Sequence, residues 1–200
     1  MRRILLITLA LFSFGSMAAW AGSPPPVGPA DKVEGNPAAP VTVIEYFSLD
    51  CPHCARWAAE IYPKVKADFI DTGKVRFVRR DFPLHGAALQ AAELAHCVPD
   101  EYDAFVDTLL ASQANWLPYT QGIDTVAELG KIAKLGGISD EKFKACLQDK
   151  SISEAIVRTR AAGDQAGVTG TPYFFFSNGA TYNGELPYDG FAKMAHDAGA

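Results

Sequence analysis

Two cysteines separated only by Pro52 and His53, in FSLDCPHCARW (Phe47 to Trp57), sit where a strand-like run ends and a helix-like run begins. No other part of the chain constrains the fold as strongly. Before the pair, VTVIEYF (Val41 to Phe47) is apolar at most positions, the pattern of a strand buried on both faces. After it, ARWAAEIYPKVKADFIDTG places Trp57, Ile61, Val65 and Phe69 four residues apart, along one face of a helix. Pro63 removes an amide donor there and kinks the helix, and Gly73 stops it. KVRFVRRDF reads as a second strand, so the cysteine pair stands at the first junction of a βαβ unit.

The pattern then changes. From about His85 to Gly167 the signals are all helical: GAALQAAELAHCV, DEYDAFVDTLLASQ, IDTVAELGKIAKLG, SDEKFKACLQDK and SISEAIVRTRAAGDQAG. Asp100, Ser139 and Ser151 occupy N-cap positions, and Gly136-Gly137 is a stop signal. The chain returns to β structure at TPYFFF (Thr171 to Phe176), turns at Asn178-Gly179, pairs through TYNG and ends in a helix from Tyr188 to Ala198. The sequence therefore predicts an α/β sheet domain, residues 22–83 and 151–200, interrupted by a helical insertion over 84–150. A chain of 200 residues, 48% hydrophobic, can bury such a core.

The N-terminus points to export. Arg2 and Arg3 precede the short apolar run ILLITLALF, and AWA (Ala19 to Ala21) fits a signal-peptidase site, so residues 1–21 read as a cleaved signal peptide. Thr8, Ser13, Gly15 and Ser16 interrupt the run and weigh against a permanent span. GSPPPVGPAD (Gly22 to Asp31) is expected to be an extended, mobile lead-in. The formal charge of -5 weighs against nucleic acid. Lys74, Arg76, Arg79 and Arg80 form the one basic cluster, expected on a solvated strand edge.

Cysteines three apart on a helix share a face. Their Cα atoms then fall within the disulfide window of roughly 4.4–6.8 Å. At a helix N-terminus, free amides and the macrodipole stabilise an anion, and a Cys51 thiolate is such an anion. Pro52 suits the first turn, where its missing donor costs nothing. His53 can donate to the Cys51 sulfur or add positive charge beside it. A depressed thiol pKa stabilises the reduced pair and makes the disulfide a strong electron acceptor. The rival roles are weaker. A closed metal site needs four ligands, yet no second cysteine pair exists, and His85, His96 and His196 are scattered as caps or surface residues. A purely structural bridge over so short a loop gives little stabilisation.

VIEYFSLDCPHC resembles the active-site strand and motif of the DsbA-like periplasmic thiol:disulfide oxidoreductases, and VTGTPYFFF (Val168 to Phe176) resembles their later loop. The resemblance covers essentially the whole chain after the leader. It implies a thioredoxin-like fold with a helical insertion sub-domain and no cofactor beyond the redox-active pair. It further implies Cys51 as the exposed nucleophile, Cys54 as the resolving sulfur, and Pro172 as a cis residue facing them. Thr171 would offer its backbone to an extended substrate, and Glu45 would be a buried acid passing protons to and from Cys54.

The second pair, Cys97 and Cys146, lies on apolar helix faces; buried thiols are one reading, and in an oxidising compartment a structural disulfide is the expected one. The reading is thus a monomeric periplasmic oxidase for exported proteins, re-oxidised by a quinone-linked membrane oxidase of the DsbB type. An isomerase or reductase kept reduced by a partner is the alternative, suggested by threonine before the proline. The short segment between leader and core strand weighs against the isomerases, which carry a dimerisation domain there. A metal-binding or non-redox binding protein is the more distant alternative.

Overall fold

The computed structural model describes residues 24–119 and 122–200; the leader and its cleavage site lie outside them. β1 (Lys32–Glu34) and β2 (Val41–Phe47) lead into α1 (Pro52–Glu60) and α2 (Tyr62–Val65), and β3 (Val75–Asp81) follows. The helices α3 (Gly86–His96), α4 (Tyr102–Ala111), α5 (Gln113–Trp116), α6 (Thr125–Leu135), α7 (Asp140–Gln148) and α8 (Lys150–Ala166) come next. The hairpin β4 (Tyr173–Phe176) and β5 (Thr181–Asn183) and the helix α9 (Tyr188–Asp197) complete the chain.

The five strands form one mixed sheet in the order β1-β3-β2-β4-β5, with β2 and β3 parallel and the other neighbours antiparallel. β2 is central, which is why its sequence is apolar at most positions. Alternate residues point to opposite faces. Val41 and Val43 pack with Trp57, Val65 and Phe191 on one side, while Ile44 and Tyr46 pack with Ala166 and Val168 on the other. Glu45 shares the phase of Val43, so it lies on the face covered by α1.

α8 is the crossover that returns the chain to the sheet. Gly163 lets it approach closely, since a Cβ there would stand 2.8 Å from the Tyr46 ring. The preceding helices build a separate apolar core around Phe105, Leu109, Trp116, Leu129 and Phe143, and this core is continuous with Phe47, Leu49, Cys51 and Cys54. The cysteine motif is thus wedged between sheet and helical block. Cys97, at the end of α3, and Cys146 of α7 are joined by a disulfide with Cα atoms 5.7 Å apart.

Several local expectations need correction. The helix after the motif breaks at Ile61, two residues before Pro63, and ends in a π turn over Lys66–Ile70. Ser139 does cap its helix, accepting from the Lys142 amide, but Asp149 rather than Ser151 caps α8, and Asp100 lies inside a short 3-10 turn. β1 was not expected, for only Val33 in it is apolar.

The basic cluster is not a solvated edge. β3 is an interior strand, and Arg79 and Arg80 are buried. Arg80 donates to the Asp31 carboxylate at 2.8 Å and to the carbonyls of Pro25 and Pro26 at 2.9 and 3.2 Å. The lead-in from residue 24 is therefore lashed to the sheet rather than loose, because a buried guanidinium must find acceptors.

Candidate active site

β2 delivers the motif to the helix start through a tightly held bend. Ser48 Oγ donates to Asp50 at 2.5 Å and accepts from the Leu84 amide at 3.1 Å. The Gln113 amide of α5 donates to the carbonyls of Leu49 and Cys51, at 2.6 and 3.0 Å. Asp50 is buried and its other oxygen lies 2.7 Å from His85 Nδ1. These contacts fix the backbone so that Cys51 is the N-cap residue of α1, with extended φ and ψ, and Pro52 opens the helix.

Both cysteines are free thiols in this structure and both are buried, so Cys51 is not the exposed sulfur the resemblance implied: it packs into the helical core and against the Thr171 carbonyl. Their environments differ sharply. The Cys54 thiol, donating to the Cys51 sulfur, draws Cys51 down to about 6; Thr171 and the amides of Cys54 and His53 act in the same direction, against the opposing effect of burial. Burial, and then the adjacent Cys51, push Cys54 well above the ordinary thiol range. One sulfur is therefore held as an anion while the other keeps its proton. The Thr171-Pro172 peptide is cis, and the Thr171 carbonyl lies 3.2 Å from Cys51 Sγ, accepting from it when Cys51 is a protonated thiol. The buried Thr171 hydroxyl has no partner within the described residues, which leaves it available to a Cys51 thiolate. A nucleophilic sulfur, a protonated neighbour and a backbone carbonyl across from them are the parts that dithiol-disulfide exchange requires.

The sequence model of the family described as "Thioredoxin" matches residues 28–197. The crystal structure of alpha-DsbA1 from Wolbachia pipientis is 33% identical, with a TM-score of 0.77 over 86% of this chain and 94% of that one. The chain is a DsbA-like member of the thioredoxin family. Oxidised BdbD from Bacillus subtilis superimposes with a TM-score of 0.76 at 26% identity, over 90% of this chain and 97% of that one. A protein of Rickettsia bellii (strain RML369-C), named as a protein-disulfide oxidoreductase, is 35% identical over 76% of this chain. The chain spans 55–59% of the length of the curated rickettsial relatives it matches.

In this DsbA-like fold Glu45 is buried on the central strand, and burial raises its carboxyl to about 8 despite the opposing Arg79. Glu34 is also raised by burial and accepts from the Tyr62 hydroxyl at 2.5 Å, so Arg79 sits in a small field of carboxylates with Asp107 at 3.0 Å. His53 stands differently from the expectation. Its ring turns outward, with Nδ1 against Glu185 and Arg56 rather than on the Cys51 sulfur. His96 is half-buried with Nε2 2.7 Å from Asp81, and His196 Nδ1 lies 3.0 Å from the Ala200 carbonyl.

Arg56, Glu185, Asp50, His85 and Gln113 were not singled out in the sequence as parts of the site. Arg56 stands three residues after His53, the one spacing that could have marked it. The others are brought in by folding from distant segments. Among the described residues no helix is long and apolar enough to cross a membrane.

Proposed function

We propose that this protein is a thiol:disulfide oxidase that donates the Cys51–Cys54 disulfide to exported proteins. The observation that carries the reading is the split between the two sulfurs, with Cys51 held near 6 and Cys54 well above the thiol range. A substrate thiolate attacks the Cys51 sulfur of the oxidised pair. The intramolecular S–S bond breaks, Cys54 leaves as a thiolate and takes a proton, and a mixed disulfide forms at Cys51. Glu45, protonated up to about pH 8, is the proposed proton donor. A second substrate thiolate then attacks the substrate sulfur, forming the new disulfide and releasing Cys51 as a stabilised thiolate.

The two electrons and the Cys54 proton remain on the protein until an acceptor removes them. We assign that role to a quinone-linked membrane oxidase of the DsbB type, with the protein acting in the periplasm after loss of residues 1–21. An extended substrate segment would lie along the Thr171 backbone, next to the cis Pro172. The redox chemistry uses the protein's own sulfurs and needs no added cofactor. We likewise propose that residues 22–83 with 151–200 form the redox unit and that 84–150 is the insertion.

Thr171 favours one second reading, an isomerase or reductase kept reduced by a partner. Trapping thiols in intact cells with a mass-shifting alkylating agent separates the two. Oxidised Cys51 and Cys54 support the oxidase. A largely reduced pair overturns it in favour of the second reading.

A further inference from the structure

Gln113 belongs to the helical insertion, yet it grips the backbone at and just ahead of the first cysteine. Its amide nitrogen donates to the Leu49 carbonyl at 2.6 Å and to the Cys51 carbonyl at 3.0 Å. Both hydrogens of that nitrogen are thereby used, and the side-chain oxygen in its place would repel both carbonyls. The mount is firmly held. Trp116, three residues further along α5, is fully buried, and its indole N–H donates to the Leu109 carbonyl at 3.0 Å. The Trp116 carbonyl in turn accepts from the Thr125 hydroxyl at 2.9 Å.

The two carbonyls are not equivalent. That of Cys51 also accepts from the Ala55 amide at 3.2 Å, as the carbonyl of an N-cap residue does. That of Leu49, on a residue buried in the core, has no other partner among the described residues. A buried carbonyl left unpaired is costly and turns to any donor within reach. Leu49 stands four residues before His53, the spacing of a helical hydrogen bond. Released from Gln113, its carbonyl can extend α1 backwards by taking the His53 amide. Yet the amides of His53 and Cys54 are the ones that favour an anion on Cys51. In the thiol form neither makes a full cap hydrogen bond to the sulfur, which gives its own hydrogen to the Thr171 carbonyl. Once that hydrogen is lost, the sulfur becomes an acceptor for both.

We propose that Gln113 is a positioning residue for the redox pair: by drawing the Leu49 and Cys51 carbonyls to its amide it stops α1 at Cys51 and reserves the His53 and Cys54 amides for a thiolate on that sulfur. The effect is one of geometry, since Gln113 carries no charge. The titratable and charged groups about Cys51 are Asp50 ahead of it, His53, Cys54 and Arg56 of α1, Glu45 of β2 and Tyr119 beyond α5. Through Gln113 the insertion sets how strongly the reduced pair is stabilised, and so how readily the disulfide accepts electrons. The inference deepens the exchange reading above and rests on it.

The test is the Cys51 thiolate absorbance of the purified, reduced protein across pH. It is paired with the equilibrium against glutathione, in which two glutathione thiols give two electrons to the Cys51–Cys54 disulfide and leave as glutathione disulfide. Gln113→Met keeps the length of the side chain and removes both donors. Its Cys51 should bind a proton about three to ten times more tightly, the effect of one lost hydrogen bond. Its disulfide should be reduced about two to five times less readily near pH 7. Gln113→Asn, one methylene shorter and unable to reach both carbonyls, is the milder variant and should shift both quantities the same way by a smaller factor. Gln113→Lys restores N–H donors and should return the midpoint to the wild-type value or below it. Circular dichroism verifies that each variant is folded. A folded Gln113→Met that matches the wild type in both quantities overturns the proposal, even where its stability is lower, and so does a raised midpoint in Gln113→Lys. If Gln113→Met does not fold, Gln113→Asn decides by the same criterion. Both quantities are read on purified protein, so they answer for Gln113 whether the pair is oxidised or reduced in cells. A wild-type pair that does not exchange with glutathione at all overturns the exchange reading instead.

Discussion

Cys51 and Cys54 occupy one turn of helix, yet their surroundings drive their protons in opposite directions. The reduced protein should show a thiolate absorbance near 240 nm with a midpoint at about pH 6, absent in Cys51→Ser and retained in Cys54→Ser. In Cys54→Ser a serine hydroxyl can still donate to the sulfur, so its midpoint should rise only modestly. Glu45 makes a pH-dependent prediction of its own. Its folded-state pKa of about 8 lies above the ordinary value of 4.5. The folded protein therefore holds a proton that the unfolded chain has released, and stability falls as pH rises from about 4.5 to about 8. Glu45→Gln should remove this dependence. The variant should match the wild type near pH 4 and exceed it by several kcal/mol, on the order of 3–5, at pH 9, read by denaturant unfolding of the reduced form.

At the scale of elements, the sheet positions the motif only because α8 can lie flat against β2. A methyl group at Gly163 would press on Tyr46 and Phe82, at 2.8 and 3.0 Å, and both rings are buried. Gly163→Ala should lower stability by about 1–3 kcal/mol in denaturant unfolding, with near-normal exchange activity in the fraction that folds. An unchanged midpoint would show that the rings move aside freely. Periodicity made most elements legible. β2 could be read from its mostly apolar run, α1 from Trp57 onward, and the hairpin from Asn178-Gly179. β1 could not, for three residues with one apolar side chain carry no periodicity, and pairing with β3 alone defines it. The buried arginines were equally hidden. Nothing local distinguishes Arg79 and Arg80 on an interior strand from arginines on an edge, because their partners Asp31, Glu34 and Asp107 come from other segments. The site divides in the same way. Cys51, Cys54 and Pro172 stand in short motifs, whereas Glu185 and His85 reach the site only through the folded chain.

Across the whole molecule, two cores meet at the cysteine motif, and the helical one is closed by the Cys97–Cys146 bridge. The bridged residues are 49 apart in sequence. In the chain-entropy view a loop of that length is worth about 4 kcal/mol of stability. The double variant Cys97→Ser with Cys146→Ser should lose about that much in denaturant unfolding, while the Cys51 thiolate midpoint stays near 6. A shift of that midpoint would show that the helical core and the redox pair are coupled more tightly than shared packing implies.

The bridge also governs what a protease can do to this chain. A single cut anywhere between Cys97 and Cys146 leaves two fragments held together by sulfur. The nicked molecule should migrate as one species on a denaturing gel without reductant and as two with it. Each piece carries strands of the same sheet, β1 to β3 on one side of the cut and β4 and β5 on the other. Among proteases, such a molecule can be severed once and still keep both halves of its sheet within reach of each other.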